Sequence, residues 1–454
     1  MGRKDTIETA ARKIRIGYIG GQPKRLNERI IDNQWIQYLG EYTELVSISP
    51  LKIFKLFNGS IKRWIQSLPQ SLHVLSADLA DLCKQNDMKM IYFNLPQFIP
   101  YLLMARNYSG LDVGLLFLTH SVGSEYWMKQ WIAIAPWLTE RDVLLTSTAS
   151  SRKALLRISD RFQLARHIPL CIALQPIESE QVTVTDETKK HLLSIGRIED
   201  VKNIHVLLHC FAKIQQIVPG THLTIAGEYT GQSEQQIRQY RQTLEQIVEE
   251  LSLESAVSFI GPVEGEMKAE LFRRSELLIN LSTDPGETFG FNLIEAKIWG
   301  LPVVCAKWDG FQEVVVHGVD GYLVDCDWEQ EQPTLDTEQI VQYSVNLLED
   351  EDLQKRFSSQ AKLEASAYDY KKIMPYIVSE ARNASMKKIQ AVPQAAQIAQ
   401  SNLLALPDIY HVENLLHLPF SHHPLVSMPL SESAESLNTW IPKAKPVIHH
   451  FAGR

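Results

Sequence analysis

Short apolar runs that end in turn residues alternate with stretches of helical spacing along most of the chain. Residues 13–21 (KIRIGYIGG) read as a buried strand running into a glycine turn, and 87–93 (DMKMIYF), 112–120 (DVGLLFLTH) and 142–147 (DVLLTS) as further strands. Residues 170–188 open with LCIALQPI, continue rich in Glu and Thr, and read as a connection. A second series then begins at 192 and continues through 221–227 (THLTIAG), 257–262 (VSFIGP), 277–280 (LLIN) and 302–306 (PVVCA). Apolar strands alternating with helices imply a parallel sheet covered on both faces. The predicted fold class is α/β, with two doubly wound, Rossmann-like domains facing each other across a cleft. The predicted boundaries are 1–175 and 190–365 for the domains, 366–390 for a C-terminal helix and 391–454 for an appendage.

With 454 residues and 45% hydrophobic content, the chain can bury two ordinary cores, which excludes disorder throughout. Five cysteines are scattered without CxxC spacing, and the first residues lack an apolar signal-peptide core, so a reducing, cytoplasmic setting is expected. No apolar run approaches the ~20 residues needed to cross a bilayer. Any membrane contact is therefore expected to be peripheral, at the inner membrane surface. The net charge of −8 hides an asymmetry, since residues 1–150 carry 17 Lys and Arg against 13 Asp and Glu. Within them, 49–65 (SPLKIFKLFNGSIKRWI) holds Lys52, Lys55, Lys62 and Arg63 and no acid. The preferred reading is a helix pair packing its apolar face on the core; the other is a basic amphipathic face on an anionic membrane. No nucleic-acid partner is expected. The last 64 residues hold seven of the 21 prolines and six of the 14 histidines without a period. They read as an appendage of little regular structure rather than a metal site.

Residues 284–304 (DPGETFGFNLIEAKIWGLPVV) place Glu287 and Glu295 eight apart after a short apolar strand, with glycines at 286 and 290. Such spacing predicts a strand-to-helix loop with free backbone N–H groups, one carboxylate at its mouth and one on the helix. Two carboxylates suit a polyhydroxylated ligand, because ionised acceptors bond hydroxyls strongly. The stretch resembles the Glu-x7-Glu element of the retaining family 4 glycosyltransferases, relatives of glycogen and sucrose synthases with two Rossmann-like domains (the GT-B architecture). Residues 191–203 (HLLSIGRIEDVKN) resemble the same family's Gly-Arg and Lys-Asn pairs, here Gly196, Arg197, Lys202 and Asn203. Residues 310–324 (GFQEVVVHGVDGYLV) resemble its turn, acidic residue and strand, with Phe311 where a second glycine is usual.

The resemblance implies transfer of a hexose-type sugar from a nucleoside diphosphate sugar to an acceptor hydroxyl that is not identified. The first domain would bind the acceptor and the second the donor, the C-terminal helix would cross back to the first domain, and the cleft would close by a hinge near 175–190. Arg197 and Lys202 would hold the diphosphate; the plain alternative for Arg197 is a surface ion pair with Glu199 or Asp200. Glu287 would hold the donor sugar with backbone N–H groups of Thr288, Phe289, Gly290 and Phe291, and Glu295 would accept from the ribose. The loop containing Val263 would face the base. His120 would lie beside the anomeric centre, although a histidine ending an apolar strand is often only a satisfied rim group. Gly20 and Gly21 would allow close backbone approach in the first turn. Two cations on the diphosphate make a metal or other cofactor unnecessary, so none is expected. The rivals are a sugar-nucleotide epimerase or phosphorylase, and a catalytically silent sugar-nucleotide-binding protein.

Overall fold

The computed structural model describes residues 13–19, 30–57, 59, 61–68, 70–93, 98–119, 121–122, 125–158, 160–174, 190–231, 233–284, 287, 289–329 and 332–395. The first domain opens with β1 (Arg15–Ile19), α1 (Ile30–Tyr42), β2 (Glu44–Ile48), α2 (Pro50–Leu56), α3 (Ile61–Gln66) and α4 (Gln70–Gln85). It continues with β3 (Met90–Tyr92), α5 (Ile99–Ser109), β4 (Gly114–Thr119), α6 (Glu125–Ile134), β5 (Val143–Thr146), α7 (Ala149–Ile158) and β6 (Arg166–His167). Its sheet is parallel, in the order β2-β1-β3-β4-β5-β6. The central strand β4 is buried along its whole length, as its apolar run requires.

The second domain begins with β7 (His191–Ile195), α8 (Ile204–Ile217), β8 (His222–Ala226), α9 (Glu234–Glu250), β9 (Val257–Gly261) and α10 (Gly265–Arg274). There follow β10 (Leu277–Asn280), α11 (Phe291–Trp299), β11 (Val303–Ala306), α12 (Phe311–Val314) and β12 (Gly321–Val324). Its parallel sheet runs β12-β11-β10-β7-β8-β9. The hairpin β13 (Cys326–Glu329) and β14 (Gln332–Leu335) was not foreseen from the pattern; α13 (Thr337–Glu349) and α14 (Glu351–Ala365) follow it.

The last described helix, α15 (Tyr370–Ser385), lies on the first domain, with Met374 and Ile377 fully buried there. Tyr370 stacks on Tyr38 with ring centroids 4.1 Å apart, and its hydroxyl donates to Glu41 at 3.0 Å. Arg166 donates to Glu380 at 2.7 Å. Ile172 donates to the Tyr368 carbonyl and accepts from Tyr370, so the segment leaving the first domain runs beside the segment returning to it. Residues 387–395 extend this packing, Val392 donating to the Asn107 carbonyl at 2.7 Å. The expected hinge, the rest of the appendage and its six histidines lie outside the described residues.

In the basic segment, Ile53, Phe57 and Trp64 are buried, which agrees with the core-packing reading. Leu51 and Phe54, in contrast, are 70% and 45% exposed beside exposed Lys52 and Lys55. Among the described residues no helix is long and apolar enough to cross a membrane.

Candidate active site

Strand order decides where the loops of the second domain leave room. The chain proceeds outward from β7 through β8 to β9, then returns to β10 on the other side of β7. Loops leaving the C-terminal ends of β7 and β10 therefore diverge and open a crevice between them. The first loop carries Arg197, Glu199 and a short 3-10 turn, Asp200–Lys202; the second carries Ser282, Asp284 and Glu287. Asn203, with a left-handed φ of 55°, ties the two together by donating to the Leu281 carbonyl at 2.8 Å and to the Thr283 hydroxyl at 3.0 Å. Asn292, in the first turn of α11, donates to the Ile195 carbonyl at 2.7 Å and so fixes that helix against β7.

Two cations and three carboxylates meet in this crevice. Arg197 donates to Glu199 at 2.7 Å and to Asp284 at 3.2 Å. Lys202 donates to the Ser282 hydroxyl at 3.1 Å, bonds Glu287, and lies 3.7 Å from Asp284. The Arg197 side chain is half exposed, whereas Lys202 is nearly covered. The ion pair between Arg197 and Glu199 is therefore formed, and the same arginine still converges with Lys202 and Glu287 on one space. Sequence reasoning passed over Asp284 and Ser282 and gave Glu199 only as the alternative partner of Arg197. Asp284 stood in the quoted loop three positions before Glu287, and only the fold of that loop turns it toward the cations.

The space is a cavity of about 400 Å³ between the domains. Gly196, Arg197, Lys202, Glu287, Phe289, Gly290, Phe291 and Glu295 line it from the second domain; Leu118, Thr119, Ser147 and Leu170 line it from the first. Gly290 caps α11 with φ 75°, and a Cβ there would come within 2.6 Å of the Phe311 ring. Phe311, the departure noted in the sequence, is fully buried behind this loop. Val263 packs at the edge of the core and does not line the cavity. Gly20, Gly21, His120 and Thr288 lie outside the described residues.

Glu295 is largely covered, and its partner is Lys268 on α10, at 2.5 Å. Burial pushes the Glu295 carboxyl above the usual range, and the charge and hydrogen bond of Lys268 pull it back. Lys268 is 27 residues from Glu295 on another helix, and nothing local in the sequence announces it.

On the far side of the cleft, Asp309 and Glu313 reach the first domain. Glu313 accepts from the N–H groups of Ala149 at 2.7 Å and Ser150 at 2.8 Å, at the start of α7, and Ser150 donates its hydroxyl to Asp309. Burial pushes Asp309 up to about 7, helped by the nearby Glu313 and opposed by the Ser150 bond. Trp308, next in the chain, donates to the Asp284 carbonyl at 3.1 Å and links this contact to the cation site.

Two facing doubly wound domains of this kind make up the GT-B architecture. Anabaena HepE, solved in complex with UDP and glucose, superimposes with a TM-score of 0.61 at 18% identity over 82% of this chain and 100% of its own. Sucrose-phosphate synthase from Thermosynechococcus elongatus gives 0.60 at 17% identity over 82% and 99%. At these identities the likeness establishes the fold. Residues 177–364 match the family described as Glycosyl transferases group 1. N-acetyl-alpha-D-glucosaminyl L-malate synthase of Bacillus anthracis is 30% identical over 178 residues, 39% of this chain and 40% of that enzyme. D-inositol 3-phosphate glycosyltransferase of Pseudarthrobacter chlorophenolicus is 32% identical over 144 residues, 30% of this chain and 32% of that protein. The matched stretch thus spans less than half of either relative.

Proposed function

We propose that the protein transfers a hexose-type sugar from a nucleoside diphosphate sugar to an acceptor hydroxyl, with retention of anomeric configuration and without a metal. The observation that carries this reading is the convergence of Arg197, Lys202 and Glu287 on one interdomain cavity at the switch point. Negative charge grows on the β-phosphate as the glycosidic bond breaks, and two preplaced cations stabilise the transition state there more than the ground state. Donor entry exchanges the ion pairs of Arg197 and Lys202 with Asp284 and Glu287 for bonds to phosphate and sugar. Glu287, released from Lys202, then accepts from sugar hydroxyls, while the backbone at Phe289 and Gly290 lies beside it. The rim formed by Thr119 and Ser147 belongs to the first domain, which leaves the acceptor to approach from that side. Retention is assigned to front-face attack or a short-lived ion pair, since among the described residues no side chain in the cavity stands out as a nucleophile. HepE was solved with UDP, and also with UDP-glucose, which supports a nucleotide-sugar donor here.

The test is hydrolysis of a panel of nucleoside diphosphate sugars by the purified protein, with the released sugar's anomer read by NMR before it mutarotates. Arg197→Ala and Lys202→Ala are expected to lower the rate at least about a hundredfold, the scale for loss of a transition-state donor, and a chelator to leave it unchanged. Nucleotide binding with no turnover would favour a silent binding protein, and loss of rate with chelator would overturn metal independence.

Exposed Leu51 and Phe54 beside Lys52 and Lys55 support a second element of the proposal, peripheral contact with an anionic membrane. Sedimentation with phosphatidylglycerol vesicles should be lost on replacing Lys52, Lys55 and Arg63; sedimentation that is unchanged would remove this element.

A further inference from the structure

Glu295 stands in the wall between two cavities. One is the cavity with Arg197 and Lys202; the other, about 310 Å³, is lined by Gln34 and Tyr38 of α1, Glu264, Phe272 and Trp299. Among the described charged groups, Lys268 and Glu295 alone line both. The other charged side chains on neighbouring elements are engaged elsewhere or sit apart. On its own helix, Lys297 pairs with Asp320. From α10, Arg273 lies over the Trp299 ring, and Glu264, just before that helix, lines the second cavity. From α14, Lys362 lies against Gly300. Glu313, on α12, accepts from α7, and beyond β10 Lys202 bonds Glu287 across the first cavity. Among the described residues, Glu295 thus has one hydrogen-bonding partner, Lys268.

We propose that Lys268 is a positioning residue for the donor, which by bonding Glu295 holds it ionised and aimed so that it accepts from the ribose of a nucleoside diphosphate across the neutral pH range. The inference rests on the donor reading above. A carboxylate accepts two ribose hydroxyls, whereas a protonated carboxyl uses one oxygen as a donor and accepts less well. Burial already favours the protonated form of Glu295, and Lys268 is what opposes it. Without the ammonium the carboxyl titrates higher, so binding weakens as pH falls and returns as pH rises. Lys268 is itself only partly buried, so its replacement leaves the fold in place.

The experiment is calorimetric binding of UDP, GDP, ADP, CDP and dTDP from about pH 5.5 to about pH 9 to wild type, Lys268→Met, Lys268→Arg, Glu295→Gln and the Lys268→Met/Glu295→Gln pair. The ratio of variant to wild-type affinity cancels the ionisation of the nucleotide itself. For the nucleotide that binds, Lys268→Met should lose about tenfold near pH 6, one pKa unit's worth, and recover toward pH 9, while Lys268→Arg follows wild type. Glu295→Gln should be weak at every pH, with no further loss in the double variant. A flat ratio, or additive losses, would overturn the inference while leaving the donor reading intact. Failure of the wild type to bind any of the five would sink the donor reading itself, and the inference with it.

Discussion

Asp284 sets the strength of the cation site. Its carboxylate lies 3.2 Å from Arg197 and 3.7 Å from Lys202, where it neutralises them in the absence of ligand and would repel a diphosphate. Asp284→Asn should therefore tighten nucleoside diphosphate binding by about tenfold, or ~1.4 kcal/mol. Weaker binding in calorimetry would instead make Asp284 the group that orients Arg197. Lys297, two positions after Glu295, is of another kind: with its side chain 2% exposed it donates to fully buried Asp320 at 2.6 Å, and Asp320 also accepts from the Val316 N–H. Its position gives it a structural role and keeps it out of the interdomain cavity. Lys297→Met strands a buried carboxylate and should cost about 3–5 kcal/mol in denaturant unfolding, whereas Lys297→Met/Asp320→Leu should recover part of that. A loss below about 1 kcal/mol in the single variant would show that water reaches the pair.

Among the elements, α7 takes part of its cap from the other domain, beside the local bond from the Ser151 N–H to the Thr148 hydroxyl. The orphan N–H groups at its start are satisfied in part by Glu313, more than 160 residues away, so helix and interface are stabilised by one carboxylate. Glu313→Ala should lower stability by about 1 kcal/mol, the usual value of a cap, and raise hydrogen exchange at Ala149 and Ser150. Unchanged exchange there would mean that the contact is made only transiently. Elements also show where pattern reading stops. The central strands β3, β4, β5, β10 and β11 were legible because both faces are buried and their runs are apolar. Strands β2 and β6 were not: β2 alternates exposed Glu44 and Ser47 with less exposed neighbours, and β6 is two residues long. Both are edge strands, defined by the neighbour they pair with more than by composition.

At the scale of the whole molecule, the seam between the domains raises a carboxyl. Loss of water around half-buried Asp309 pushes it from the ordinary 3.8 up to about 7. A carboxyl whose folded value is raised contributes stability that is fully present below about 4 and is lost as pH rises through about 7. Closure is therefore expected to weaken between about pH 4 and about pH 7, seen as a rise in radius of gyration in small-angle scattering, and Asp309→Asn should abolish that rise. A radius independent of pH in the wild type would mean that Asp309 keeps its surroundings in the open form, or that α15 holds the domains together by itself.

The sequence by itself determined the two doubly wound domains, because apolar strands of four to six residues alternating with amphipathic helices have few other ways to bury their surface. It also marked Arg197, Lys202, Glu287 and Glu295, since glycines and charges at fixed spacing after strands are local features. Tertiary structure alone decided that Asp284 faces the cations, that Lys268 meets Glu295, that Glu313 reaches the start of α7 and that Asp309 is half-buried at the seam. Each of these pairs charged or polar groups from separate elements, up to 164 residues apart, and no local pattern encodes which surface group a folded chain will bring opposite another.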